Sequence, residues 1–323
     1  MKAVNLSELK GIAIGHAQDQ AGGTGCTVIL CENGATAGVD VRGGAPGTRE
    51  TDLLDPVNYV EQIHGIVLAG GSAFGLDAAA GVMAYLEERG CGFDVGVAKV
   101  PIVAGAVLFD LHCGDPYKRP DKEMGYQACL NATLPLTEGS VGAGTGATVG
   151  KLLGMEYAMK GGFGSACIKL GELIVGAVVA VNCLGDVVDP RSGEILSGAL
   201  QREERRFLNC EESLLREYQS GLDPFKGNTT IGCILSNAKM TKAQANKIAS
   251  MAHNGYARTI YPAHTQFDGD TIFSLATGEV EADTNVLGVL AARMMADAVV
   301  AAVRKATSLH GFPSRMEIFP KED

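Results

Sequence analysis

Positive charge is in short supply: 27 Lys and Arg stand against 37 Asp and Glu, a net charge of −10. The acidic excess is spread along the chain and not gathered in a tail, which argues against a nucleic-acid or anionic-membrane partner. Paired cysteines are also missing. The nine cysteines are an odd number, and the nearest pair, Cys26 and Cys31, has no second pair or histidine cluster beside it. They read as core thiols of a reducing compartment, and no metal is expected. Long apolar runs are lacking too. Residues 1–10 hold no signal core, residues 173–181 are too few to cross a bilayer, and residues 286–303 are interrupted by Arg293 and Asp297. A soluble, cytoplasmic protein is the expectation. What the chain does have is bulk: 323 residues, 46% of them hydrophobic, enough for a substantial core in one large domain or two.

The first third reads as short strands between glycine-rich turns, residues 27–30, 37–41 and 66–68, with a structured loop at 42–51. Residues 77–89 have helical composition, with Ala78, Val82, Tyr85 and Leu86 able to share a face. The strand, glycines and helix around Ser72 invite a nucleophile-elbow reading. It fails because Phe74 stands where the motif needs glycine and Gly75 comes one residue late. Ser72 is then a turn residue or a donor on a substrate loop. Residues 100–110 are apolar and strand-like at their end, and residues 111–139 form a polar excursion.

The glycine run 140–151 is not a phosphate loop, which would need glycine at Thr145 and serine or threonine at Leu152. The Gly142-x-Gly144-x-x-Ala147 spacing formally fits a dinucleotide fingerprint, but no strand feeds it and no clear helix leaves it. No cofactor is expected. So many glycines let backbone amides approach another segment or a substrate, and Lys151 at the end of the run reads by itself as a surface lysine. Residues 166–170 and 173–182 form a hairpin about Gly171 and Glu172. Its second strand ends on Asn182, either a strand-end cap or an amide aimed into a site.

A polar tether, residues 201–226, runs directly into the strand-like segment that opens with Gly227, Asn228, Thr229 and Thr230. A threonine that begins such a strand is either an ordinary strand residue or, once the peptide bond before it is cut, a nucleophile with its own α-amine as base. Thr241 caps a helix running to about Ala257, near whose end His253 is placed to interact with the helix dipole. Asp268 and Asp270 flank Gly269 as a turn, a weak cation-ligand pair or an orienting pair. A strand, 272–276, and a closing alanine-rich helix, 285–305, complete the chain.

Together, RGGAPGTRETDLLD (42–55), GGSAFGL (70–76), VPIVAGAVLFD (100–110), VGAGTGATVGK (141–151), GNTT (227–230) and HTQFDGDT (264–271) resemble the P1 or DmpA-type aminopeptidases, peptidase family S58. The Asn228–Thr229 junction looks most like the nylon-oligomer hydrolase branch. The resemblance implies an αββα sandwich of the DmpA and ornithine-acetyltransferase type, an architecture like that of N-terminal-nucleophile hydrolases. It implies self-cleavage between Asn228 and Thr229, giving an α chain 1–228 and a β chain 229–323 within one domain, and a homo-oligomer of such units. By position, Thr229 would be the nucleophile, Lys151 and Asn182 its polar neighbours, and Asp268 and Asp270 the pair that orients it. Ser72, Phe74, Phe109 and Gly144 are the expected substrate contacts, Phe109 standing where some members carry tyrosine. The implied activity is hydrolysis of small peptides or amides through an ester. Acyl transfer by the same ester and an unprocessed binding protein of the same fold are the alternatives.

Overall fold

The computed structural model describes residues 1–132, 136–216 and 227–320. Its main elements are β1 (Ala13–Asp19), β2 (Thr24–Val41), β3 (Gln62–Ala69), α1 (Ala78–Glu88), β4 (Val103–Val107), α2 (Lys122–Leu130), β5 (Gly162–Leu170), β6 (Leu173–Asn182), α3 (Cys210–Arg216), β7 (Thr229–Ala238), α4 (Lys242–Ala257), β8 (Thr271–Val280) and α5 (Thr284–Lys305). A ladder of ten strands runs through β5, β6, β7, β8, β2, β3 and β4, with β1 beside β2 and the short pieces Lys2–Ala3 and Thr48–Arg49 at its ends. Most neighbours are antiparallel; β7 with β8 and β3 with β4 are parallel.

β2 makes one ladder serve as two sheets. Residues 24–30 pair with β1, residues 36–41 pair with β8, and the register against β3 shifts between Leu30 and Ala35. Gly34 sits there at φ 79°, a conformation that costs glycine little. The apolar side chains sort accordingly into three buried layers. Ile29, Ile66, Leu68 and Ala104 meet Val178, Ile231, Cys233, Leu235 and Phe273 between the sheets. Val175, Val179, Val181 and Ile234 face α4 and α5. Val28, Val67 and Val103 face α1 and α2. Strands covered on both sides read as unbroken apolar runs, and all ten residues of β6 are buried for that reason. The architecture is the expected αββα sandwich.

The helices follow local signals. Thr241 and Gln244 form a capping box at the start of α4, and the Asp283 carboxylate accepts the Asn285 and Val286 amides at 2.9 and 3.0 Å to start α5. By length and apolarity α5 could cross a membrane, but two thirds of that window is buried, much of it against α4 and the sheet. Gly255 lets the two helices close up, since a Cβ there would lie 2.7 Å from that of Met295.

Several expectations need correction. Residues 27–30 and 37–41 belong to one strand. The polar excursion holds α2, begun by Asp121 accepting the Met124 amide at 2.9 Å; it buries little beyond Gly125, Ala128 and Cys129, too thin a stripe to show a helical period. The tether is partly folded, with Leu200–Gln201 pairing Arg206–Phe207 and α3 following; its stretch 217–226 lies outside the described residues. His253 does not offer a charge to its helix end: it is fully buried, burial lowers its pKa to about 4, and Nε2 is 2.9 Å from the Asp40 carbonyl oxygen.

Candidate active site

β6 and β7 run antiparallel in a register that sets Asn182 opposite Thr229. The last residue of one apolar strand and the first of the next are therefore brought side by side at the sheet end. Lys151 reaches this point fully buried and is no surface lysine. Its Nζ donates to the Asn182 carbonyl at 2.9 Å, to Asn182 Oδ1 at 3.0 Å and to the Gly227 carbonyl at 3.2 Å. Burial lowers its pKa to about 7, against the upward pull of Cys183, Asp268 and Asp110. The Asn182 amide is held on both sides: Oδ1 accepts the Thr148 amide at 2.9 Å and Nδ2 donates to the Phe109 carbonyl at 2.9 Å. Asn182 thus ends its strand with its amide tied to Thr148, Phe109 and Lys151.

The opposite wall is the loop before β8. Asn228 bridges Asp268 in parallel, and the Gly269 amide donates to the Asn228 carbonyl at 2.9 Å. Thr229 Oγ1 donates to that same carbonyl oxygen. A Cβ on Gly269 would come within 2.6 Å of Thr229 Oγ1, so this position has no room for a side chain. Asp270 is saturated: Oδ1 accepts the Thr230 amide at 2.7 Å, and Oδ2 accepts the His264 amide at 3.1 Å and its Nδ1 at 2.8 Å. Asp268 differs. Oδ2 accepts the Thr265 amide and hydroxyl at 2.8 and 2.6 Å, whereas Oδ1 is buried with no hydrogen-bond partner. Burial and the neighbouring Asp270 push its pKa up to about 6. The 42–51 loop docks on this wall, with the Arg42 amide on the Asp270 carbonyl at 2.9 Å and the Ala45 amide on that of Asp268 at 2.8 Å.

A cavity of about 500 Å³ opens at the junction, lined by Pro46, Ser72, Ala73, Leu108, Phe109, Asn228, Thr229, Gln266 and Phe267 among others. Thus Thr229, Asn228, Asn182, Lys151, Asp268 and Asp270 converge, and Ser72 and Phe109 line the space before them. Ser72 holds φ 55° while its amide donates to the Leu108 carbonyl at 2.9 Å, so it is both a turn residue and part of the cavity wall. Phe74 is elsewhere, 59% exposed with the Arg119 guanidinium 3.8 Å above its ring. Gly144 approaches another chain segment: a Cβ would lie 2.2 Å from the Phe163 nitrogen. Thr148, Gly269 and His264 were not singled out from sequence. Two act through backbone amides, which residue identity does not advertise, and His264 was legible only as a member of its motif.

Among solved structures, a β-aminopeptidase from Burkholderia sp. superposes with a TM-score of 0.70 at 20% identity, over 97% of this chain and 91% of that one. The L-aminopeptidase D-Ala-esterase/amidase of Ochrobactrum anthropi, described as a variant of the Ntn-hydrolase fold, gives 0.70 at 17% over 95% and 88%. The fold is thus of the Ntn-hydrolase type. In sequence, an uncharacterized aminopeptidase of Mycobacterium tuberculosis is 42% identical over 98% of both chains. A 6-aminohexanoate-oligomer endohydrolase of Kocuria sp. is 33% identical over 92% of this chain and 85% of its own. The model of peptidase family S58 matches residues 5–316, and the chain belongs to that family of hydrolytic enzymes.

Proposed function

We propose that the protein is a self-processing amide hydrolase whose nucleophile is Thr229. The observation that carries this reading is the Asn228 carbonyl, which accepts from the Thr229 hydroxyl and from the Gly269 amide together. A nucleophile beside the carbonyl it would attack, with a fixed N–H on the oxygen, is the arrangement that acyl transfer needs. In self-cleavage, Thr229 Oγ adds to the Asn228 carbonyl carbon, the C–N bond breaks, and the nitrogen leaves as the Thr229 α-amine. Water then hydrolyses the Asn228 ester, leaving a carboxylate on residue 228 and a free hydroxyl on residue 229.

In turnover the α-amine takes the proton of Oγ as the hydroxyl attacks a substrate amide, and returns it to the departing amine. Water clears the acyl ester. Asp268 Oδ1, buried and without a hydrogen-bond partner, suits the ammonium that forms. Lys151, while it holds its proton, opposes that ammonium by like-charge repulsion and so keeps the amine in its neutral, proton-accepting form. The residues described around the cavity carry no ionisable side chain, which favours a neutral acyl group of a small peptide or short oligoamide.

Mass spectrometry of the purified protein and a small-amide hydrolysis assay test the proposal. The native protein is expected as two chains, 1–228 and 229–323, and Thr229→Ala as one inactive chain. A Thr229→Ala protein that still splits and still hydrolyses amides refutes it. An added amine acceptor separates hydrolysis from acyl transfer by its products.

A further inference from the structure

His264 takes no part in the scheme above, yet its backbone and side chain are both held in ways that a loop residue does not require. Its φ is 59°, the left-handed region that glycine enters freely and other residues reach at a cost. The backbone amide already donates to Asp270 Oδ2 at 3.1 Å, so glycine would keep that bond and relieve the strain. The imidazole adds one thing: Nδ1, 2.8 Å from the same oxygen. Because Asp270 accepts there, Nδ1 carries the hydrogen. The other nitrogen, Nε2, is buried without a hydrogen-bond partner, and the ring is set edge-on to His253 at 4.8 Å between centroids. The histidine is thus packed to present a single donor to a single carboxylate oxygen.

That carboxylate reaches the reacting residue. Asp270 Oδ1 accepts the Thr230 amide at 2.7 Å, and this amide is the peptide bond that joins Thr229 to the rest of β7. With both oxygens engaged, the carboxylate plane is fixed and the first peptide of the strand with it. We infer that His264 is a positioning residue for Thr229, acting through Asp270 and the Thr230 amide. The inference rests on Thr229 being the nucleophile.

The test compares His264→Gly, His264→Asn and Thr229→Ala as full-length proteins, reading kcat, KM, the extent of self-cleavage and the urea midpoint. Glycine suits the backbone and removes the donor. Asparagine tolerates the same φ and carries an N–H the same number of bonds from the backbone as Nδ1. His264→Gly is expected to be no less stable than the native protein, with KM within about twofold and kcat lower by about 10- to 100-fold, the scale of a misplaced reacting group. His264→Asn should recover most of that kcat. Native kcat in His264→Gly beside an inactive Thr229→Ala overturns this inference alone. So does an asparagine variant that is as slow as the glycine one, or one that restores only the urea midpoint. Full activity in Thr229→Ala overturns the nucleophile, and the role of His264 with it.

Discussion

Two lysines among the described residues are fully buried, nine residues apart in sequence, and they differ in whose oxygens they hold. Lys151 donates to Asn182, which lies across the ladder from Thr229, and to the Gly227 carbonyl just before the junction. Lys160 donates to the Thr145 and Ala147 carbonyls at 2.7 Å, both inside the glycine run. Burial lowers both, to about 7 and about 8. A buried, perturbed cation is therefore no signature of chemistry in this fold. What separates the two is that Asn182 and Gly227, the partners of Lys151, lie beside the proposed nucleophile, while Thr145 and Ala147, the partners of Lys160, lie farther back in the run, before Thr148.

Exchanging each lysine for methionine should break the symmetry between them. Lys151→Met is expected to lower turnover and self-cleavage by about 100-fold or more, the size of losing one fixed electrostatic group at a reacting centre. Lys160→Met should instead cost about 1–3 kcal/mol in urea unfolding, since it strands the buried Thr145 carbonyl while that of Ala147 keeps the Gly161 amide at 2.9 Å, with turnover per folded molecule within a few-fold of native. Kinetics and unfolding on both variants decide the matter, and equal effects on turnover would erase the distinction.

The same logic, applied to the two carboxylates, predicts a smaller difference. Asp268 has an open oxygen and Asp270 has none. Asparagine at 268 should depress turnover about tenfold or more with little loss of stability. Asparagine at 270 must point an N–H₂ at an existing donor, and should cost about 1–3 kcal/mol as well. A stable Asp270→Asn protein would show that its bonds are not the constraint described here.

The lysines also show how much of this was legible in the sequence. The strand pair β5–β6, the capped α4 and the approximate course of α5 follow from apolar runs and capping residues, because burial on both faces and a helix start leave local marks. Lys151 by itself read as a surface residue. Only the order of six motifs placed it at a junction, since the register that sets Asn182 beside Thr229 is a long-range fact. Lys160 left no sign at all: its acceptors are backbone carbonyls, which every sequence has. The reversal of β2 from one sheet to the other was hidden for a similar reason, because its two halves satisfy the strand pattern separately. His253, taken for a helix-end cation, shows that position in a helix does not reveal what another layer places over it.

The smallest expected effect is on the pH dependence of stability. Because the folded-state pKa of each lysine lies below its ordinary value of 10.5, the unfolded chain binds more protons than the folded one above about pH 7, and stability should rise with pH there. The rise should end below about pH 8, because eight buried thiols that ionise around pH 8.5 once unfolded outweigh two lysines. Eight of the nine cysteines are buried, and burial raises their pKa values, so they act in the opposite direction. Below pH 7 two pairs compete. His16 and His253, both lowered to about 4, destabilise as pH falls from 6.5, while Asp110 and Asp268, both raised to about 6, stabilise over much the same range. Urea midpoints between pH 7 and about 7.5 should therefore climb slightly in the native protein, and less steeply in Lys160→Met and in Lys151→Met. A native slope that is flat in this window, or that survives both substitutions, would mean that the carbonyls around the two ammonium groups offset their burial and that neither lysine changes its proton affinity on folding.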